Sequence, residues 1–313
     1  MSEIRTVGIV GAGLMGTGIA EVAATAGLAT VVVKATPGSP DGARARVEKS
    51  LGKQVEKGKL TAEQRDETLA RIVWSGERDA LAGADIVIES IVEDLAQKGE
   101  LFADLDRRLP REAIFASNTS TLRITEIARR GGRLDRTIGL HFFSPVPAMK
   151  LVEVAHMNDT RPEILRAAGD LVKRMGKTAV PVLDSTGFVV NRLLVPYLVG
   201  SIAAYEQGLA SPDEIDTAMR LGCGHPVGPL ALSDLIGLDI VYTMAKLLFT
   251  EFHDVRYQPP ALLRRLVQNG QLGKKSKLGF YDYRTDPPTA NQDILGLVQE
   301  GAFRLSATTE HAA

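Results

Sequence analysis

Cysteine occurs once in the 313-residue chain, at Cys223, so no intrachain disulfide can form. That usage fits a reducing, cytoplasmic setting. An excess of charge is also missing: 37 Lys and Arg stand against 38 Asp and Glu, a formal net of −1. No global field therefore favours nucleic acid or an anionic membrane surface. Metal-ligand spacing such as HxxxH does not occur, and one cysteine with five scattered histidines leaves no metal expected. A long apolar run is lacking too. The most apolar stretch, "FVVNRLLVPYLVGSIAAY", carries Asn191 and Arg192 and reads as a buried helix, not a membrane span. The opening "MSEIRTVGIVGAG" enters a strand pattern at once and leaves no room for a signal peptide. Internal repeats and low-complexity blocks are absent. What remains is an ordinary soluble composition at a length that suggests about two domains.

Strand and helix signals alternate through the first part of the chain. Ile4 to Val10 is a short apolar run ending in glycines, and Leu14 to Ala26 reads as a helix. "LATVVV" is a β-branched strand. Asp41 to Ala70 predicts two helices broken near Gly58. "ADIVIES", "AIFASNTS", "TIGLHFF", "KLVEVAH" and "TAVPVLD" repeat the strand signal. This alternation predicts an α/β domain on a parallel, doubly wound sheet of the Rossmann type, over residues 1–186. After Asp184 the texture becomes helical. "SPDEIDTAMRLG" offers Ser211 as N-cap, Pro212 at the first helical position and Glu214 at the capping-box site. An all-helical C-terminal domain is expected over 187–283, closed by "LGFYDY", with a loosely attached tail over 284–313.

The loop "GAGLMG" lies between a strand and a helix, the context that gives GxGxxG its meaning. Gly11 permits the tight turn, Gly13 lets backbone approach a pyrophosphate, and Gly16 lets the helix pack on the strand. The N–H groups at the helix start, Leu14 and Met15 included, are free to meet phosphate. A chain with this loop usually places Asp or Glu at the end of its next strand, where it bonds the ribose 2′-OH of NAD. Here that residue is Lys34, in "VVVKATPGS". An ammonium has only donors, so it pairs better with a 2′-phosphate. Thr36 and Ser39 add hydroxyls, and Gly38 frees backbone N–H groups for a small anion nest. The expected cofactor is NADP(H), with NAD(H) the alternative.

The strings "ASNTSTLRITEIA", "GLHFFSPVPAMKLVEV", "DSTGFVVNRLL", "GCGHPVGPLALSDLIGLD" and "GKKSKLGFYDY" carry a resemblance. In this order, they resemble the short-chain L-3-hydroxyacyl-CoA dehydrogenases, a group that includes the bacterial 3-hydroxybutyryl-CoA dehydrogenases. The likeness runs from the first strand to about Tyr283. It implies a Rossmann domain, a helical domain through which the protein forms a homodimer, and an acyl-CoA substrate. The implied reaction converts a (3S)-3-hydroxyacyl-CoA and its 3-oxoacyl-CoA into one another.

Oxidising an alcohol by hydride loss needs a base for the hydroxyl proton. His141, in "GLHFF", has a ring whose unperturbed pKa of about 6.5 suits that transfer. Glu153, in "KLVEV", could hold the other ring nitrogen and steady the imidazolium. The two match the family's catalytic pair. Ser120 matches a serine at the substrate's reacting oxygen and beside the cofactor. Read from local pattern alone, its segment is a helix cap, Thr121 being the better one. Asn191 matches an asparagine near the thioester, where an amide can donate to a developing oxyanion. Ser144 stands in "HFFSP" where the family commonly has "HFFNP", and it keeps a donor and an acceptor with less reach. Glu93, Lys98 and Lys275 match cofactor contacts, and Ser50 and Lys57 match contacts to CoA. A helix-borne cation such as Lys57 suits the phosphates of CoA. Without the resemblance, these lysines would read as solvated charges. His156, His225, His253 and His311 are expected to be structural or superficial.

Three other readings stand beside this one. The chain could act on another hydroxyacyl thioester, such as one held by a carrier protein, or on a hydroxy acid. It could also bind a dinucleotide without turnover, although intact His141 and Glu153 argue against that.

Overall fold

The computed structural model describes residues 3–294. The chain divides after Phe188 into two compact units, two residues beyond the boundary expected at 186. The first unit is built as β1 (Thr6–Val10), α1 (Leu14–Thr25), β2 (Ala29–Val33), α2 (Asp41–Glu56), α3 (Ala62–Ala70), β3 (Ile72–Ser75), β4 (Ile86–Glu89) and α4 (Leu95–Arg108). It continues as β5 (Ile114–Ser117), α5 (Ile124–Gly131), β6 (Thr137–Phe142), β7 (Leu151–His156), α6 (Pro162–Arg174) and β8 (Thr178–Leu183). The break between α2 and α3 holds Gly58 at φ +66°, a conformation glycine adopts without steric cost.

The eight strands form one sheet in the order β3-β2-β1-β4-β5-β6-β7-β8. Its first six follow the dinucleotide-binding order, with the topological switch between β1 and β4. Side chains alternate across the sheet and both faces are covered. Ile86 and Ile88 of β4 belong to one apolar cluster with Ile19, Ala23 and Leu171. Val87, between them, belongs to a second cluster with Leu101, Phe102 and Ile127. This two-sided burial is why these strands read as continuous apolar runs.

The sheet is not wholly parallel, which corrects the sequence expectation. β7 runs antiparallel to β6, while β8 is again parallel to β7 through α6. Only eight residues, 143–150, separate β6 from β7. A parallel crossover needs a dozen or more, so the chain can only turn back.

The second unit contains α7 (Val190–Glu206), α8 (Pro212–Cys223), α9 (Pro229–Ile236), α10 (Leu238–Phe252) and α11 (Ala261–Gln268), then a short hairpin, β9 (Tyr281–Asp282) with β10 (Thr289–Ala290). Among the described residues no helix is long and apolar enough to cross a membrane. The capping box forms at α8: Ser211 N–H donates to Glu214 Oε2 at 2.8 Å, and Glu214 N–H donates back to Ser211 Oγ at 3.4 Å.

Two buried aspartates organise this unit. Asp216 accepts from Leu230 and Ala231 N–H at the start of α9, and from the Tyr281 hydroxyl. Asp234 accepts from Phe280 and Tyr281 N–H at 3.0 and 2.9 Å. The hairpin corrects the expectation of a loose tail from Arg284. Asn291 and Ile294 are buried, and Ile294 packs with Leu198, Leu230 and Phe280. The tail beyond residue 294 lies outside the described residues, as does His311.

Candidate active site

The glycine turn sits at the C-terminal end of β1. Gly11 has φ +114°, and its N–H donates to Val33 O at 2.9 Å, which ties the turn to the end of β2. A Cβ on Gly16 would lie 1.8 Å from Gly11 O, so only glycine lets α1 start this close to the turn. A Cβ on Gly13 would meet nothing within 4 Å, so the space in front of this backbone is open. α1 has neither a side-chain cap nor an acidic residue in its first turn. Its leading N–H groups, Leu14 and Met15 among them, are free of side-chain acceptors and offer partial positive charge to an anion. The cradle therefore fits a dinucleotide pyrophosphate.

At the end of β2, Lys34 Nζ donates to Pro37 O at 2.6 Å, so the loop curls around the ammonium. Gly38, at φ +103°, passes close to it. Thr36 is exposed. Ser39 Oγ accepts from Asp41 N–H just ahead of α2.

The antiparallel β6–β7 pair sets His141 directly opposite Glu153. Directly opposed residues share a face, with Cβ atoms about 5 Å apart. His141 Nδ1 lies 2.7 Å from Glu153 Oε2, and Nε2 lies 3.0 Å from Ser120 Oγ. Both His141 and Glu153 are buried. With the Nδ1 proton held by the carboxylate, Nε2 keeps its lone pair and accepts from the serine hydroxyl. Phe143 and Phe188 flank the imidazole, with ring centroids 4.4 and 5.6 Å away.

Ser120 is held from beneath. Glu93 Oε1 accepts from Ser120 and Thr121 N–H and from both threonine hydroxyls of "NTST". Its carboxyl stays below the usual range. Burial alone would raise it, but the charge of Lys98 and the threonine hydroxyls outweigh burial. Lys98, expected at the cofactor, is 1% exposed. Its Nζ sits 2.6 Å from Glu89 and 3.2 Å from Glu93. Glu89 also accepts from Ile91 N–H and Ser117 Oγ. Lys98 thus braces Glu93 from inside, and its ammonium does not face open space.

The helix after Ser120 is capped from elsewhere. Neither Ser120 nor Thr121 caps α5. The Asp184 carboxylate accepts from Ile124 N–H, Thr125 N–H and Thr125 Oγ1 at 2.6–2.9 Å. The Ser120 hydroxyl instead meets His141 Nε2. Asn118 joins the same region: its Oδ1 accepts from Phe142 N–H and its amide donates to Ser90 Oγ.

The remaining site residues lie on other elements. Ser144 is exposed on the 143–150 loop, which Lys177 pins by donating to Val146 and Met149 carbonyls. Ser50, expected at CoA, hydrogen-bonds the buried Glu21 carboxylate, which also accepts from Gln54. Lys57 is exposed at the end of α2. In the helical unit, Asn191 is buried in the first turn of α7, and Lys275 Nζ pairs with Asp239 at 2.6 Å. His225 Nδ1 is 2.8 Å from the Tyr197 hydroxyl, a structural partnership. Among the described residues no cluster of His, Cys, Asp and Glu could hold a metal.

Sequence reasoning missed Glu89, Asn118, Phe143, Phe188 and Asp184. A carboxylate closing a buried strand, as in "ADIVIES", was the available signal for Glu89. Asp184 gave none, because its target lies about 60 residues away.

A doubly wound sheet, an open glycine cradle and a buried carboxylate–imidazole pair define a dinucleotide-dependent dehydrogenase. Residues 6–185 match the family described as 3-hydroxyacyl-CoA dehydrogenase, NAD binding domain, and residues 187–283 match its C-terminal domain. The chain belongs to the 3-hydroxyacyl-CoA dehydrogenase family, oxidoreductases acting on CH–OH groups. It is 45% identical over 281 residues to the probable 3-hydroxybutyryl-CoA dehydrogenase of Bacillus subtilis, covering 90% of this chain and 98% of the relative. It is 42% identical to human mitochondrial hydroxyacyl-coenzyme A dehydrogenase, covering 90% and 92%. The crystal structure of (S)-3-hydroxybutyryl-CoA dehydrogenase PaaH1 from Ralstonia eutropha superposes with a TM-score of 0.87 at 44% identity, covering 90% and 99%.

Proposed function

We propose that this chain interconverts a short (3S)-3-hydroxyacyl-CoA, 3-hydroxybutyryl-CoA foremost, and its 3-oxoacyl-CoA, with NADP(H) favoured over NAD(H). The observation that carries the chemistry is His141, bonded by Glu153 on one ring nitrogen and by Ser120 on the other. Bound nicotinamide would supply hydride transfer at the carbinol carbon. His141 Nε2 takes the hydroxyl proton in oxidation and returns it in reduction. Glu153 holds the tautomer and stabilises the imidazolium. Ser120, placed by Glu93, hydrogen-bonds the reacting oxygen. Gly11, Gly13, Leu14, Met15 and Gly16 hold the diphosphate, with Lys34 and Thr36 at the adenosine ribose. Glu93 and Ser144 serve the nicotinamide side, and Lys98 acts through Glu93. Asn191 donates to the thioester oxygen, Lys275 approaches the cofactor, and Ser50 and Lys57 lie toward CoA.

The domain division near residue 186 and a homodimer through the helical unit belong to this reading. Leu193, Leu209, Leu221 and Val255 support the dimer, because each is more than two-thirds exposed in the single chain. Exposed apolar surface of this kind favours an interface.

A steady-state panel of 3-oxoacyl-CoA chain lengths against NADPH and NADH tests the reading. Acetoacetyl-CoA should be reduced, with NADPH preferred, and Lys34→Asp should swing the preference toward NADH. Tight cofactor binding without turnover on any thioester would refute the catalytic reading. A tenfold wild-type preference for NADH, about 1.4 kcal/mol, would refute the role given to Lys34.

A further inference from the structure

We infer that Arg46 is a second cofactor-selecting cation, which together with Lys34 clamps the 2′-phosphate of NADP(H). This rests on the NADP(H) reading and adds a residue to it. Arg46 lies in α2 and reaches across to the glycine turn, where Nη2 donates to Ala12 O at 2.6 Å. The same turn is bonded to the end of β2 through Gly11 N–H and Val33 O, one residue before Lys34. Two cations from different elements therefore flank the place where the turn meets the strand end. In this fold, that place belongs to the adenosine ribose.

Their present partners point the same way. Lys34 donates to Pro37 O and Arg46 to Ala12 O, both neutral carbonyls. Among the described residues neither lies within ion-pair distance of a carboxylate, although many other surface arginines here do: Arg44, Arg65, Arg71 and Arg108 each pair with an acid. Arg46 therefore offers an uncompensated planar donor. A guanidinium has five N–H donors, so it can keep the Ala12 carbonyl and still bind phosphate oxygens with the others. An ammonium at Lys34 supplies a point charge beside it. A phosphate on the ribose gains ionic hydrogen bonds from both groups, whereas a diol offers them only neutral hydroxyl acceptors.

The test uses 2′,5′-ADP and 5′-AMP as probes, with affinities measured by calorimetry on the full-length wild type, Arg46→Ala, Arg46→Lys and Lys34→Ala. Arg46 is exposed, and unchanged melting temperatures would establish that the variants fold. The expected result is a wild type that prefers 2′,5′-ADP. In Arg46→Ala that probe should weaken about tenfold or more, as for a lost hydrogen bond to a charged group, while 5′-AMP stays within about twofold. Arg46→Lys should recover part of the loss. If both probes weaken equally in Arg46→Ala, the arginine serves the turn or the 5′-phosphate and the inference fails. If Lys34→Ala loses the preference and Arg46→Ala keeps it, the inference fails while the NADP(H) reading survives. If wild type shows no preference for 2′,5′-ADP, the NADP(H) reading fails and takes the inference with it.

Discussion

Alanine at Gly13 and alanine at Gly16 should behave as opposites, although the two positions are three residues apart in one motif. At Gly16 the new Cβ would lie 1.8 Å from the Gly11 carbonyl oxygen. Backbone must retreat by roughly 1.5 Å to restore ordinary contact. The obstacle is main chain locked by the Gly11–Val33 hydrogen bond, so no rotamer change relieves it. Overpacking of this kind costs about 2–3 kcal/mol. For a unit of this size that lowers the melting temperature by roughly 5–10 °C. At Gly13 the backbone is extended, with φ −75° and ψ −167°, and alanine adopts it without strain. The lower entropy of the unfolded chain favours the variant by about 0.4–1 kcal/mol. Alanine's poorer N-cap character offsets part of this. The melting temperature should therefore stay within about 2 °C of wild type. The methyl group would instead project into the space that a pyrophosphate must enter. Losing a single hydrogen bond to a charged phosphate costs about 1.5–3 kcal/mol, or roughly ten- to a hundredfold in affinity. Thermal denaturation without ligand, paired with NADPH titration, reads both effects. Wild-type NADPH affinity in Gly13→Ala, or an unshifted melting temperature in Gly16→Ala, would refute the reasoning.

Two further outcomes are expected. Glu153→Gln keeps an acceptor for His141 Nδ1–H but removes the charge that stabilises the imidazolium, a difference of about 1.5–3 kcal/mol. Reduction of acetoacetyl-CoA should then lose roughly ten- to a hundredfold in kcat with little change in KM, and an unchanged kcat would remove Glu153 from the mechanism. In the helical unit, burial pushes the Asp234 carboxyl up to about 7, helped by the like charge of Asp216 and opposed by N–H donors from Tyr281 and Phe280 and by Tyr283. The folded value exceeds the unfolded one of about 3.9. The associated stability is thus complete below about pH 4 and lost as pH rises through about 7, on the order of 3–4 kcal/mol in all. Asp234→Asn cannot ionise, so its melting temperature should fall less steeply from pH 5 to 8, and a slope equal to wild type would contradict the assignment.

The dinucleotide turn, the paired helices broken at Gly58 and the capping box at Ser211 were legible because each is local. A few consecutive residues set the backbone angles and satisfy their own hydrogen bonds. β3 was not read as a strand, since "IVWS" is only four residues long and half exposed. The segment from Arg284, which carries the second hairpin strand, was read as a tail because Ile294 gains its apolar partners from residues far back in the chain, Leu198 and Leu230 among them, and Asn291 donates to the Gly279 and Phe280 carbonyls only once the hairpin has closed.

The active centre divides along the same line. Sequence alone determined which chemical groups exist: an imidazole, a carboxylate and a serine hydroxyl in family motifs, and a lysine where an acid is usual. Tertiary structure decided what they face. The short 143–150 loop forced β7 back along β6 and so put Glu153 opposite His141. The fold also buried Lys98 between two carboxylates, sent Asp184 some 60 residues back to cap α5, and brought the Ser120 hydroxyl to the imidazole. Local pattern reports backbone preference, whereas these partnerships depend on strand direction and on burial. Both are set by free energies summed over the whole sheet.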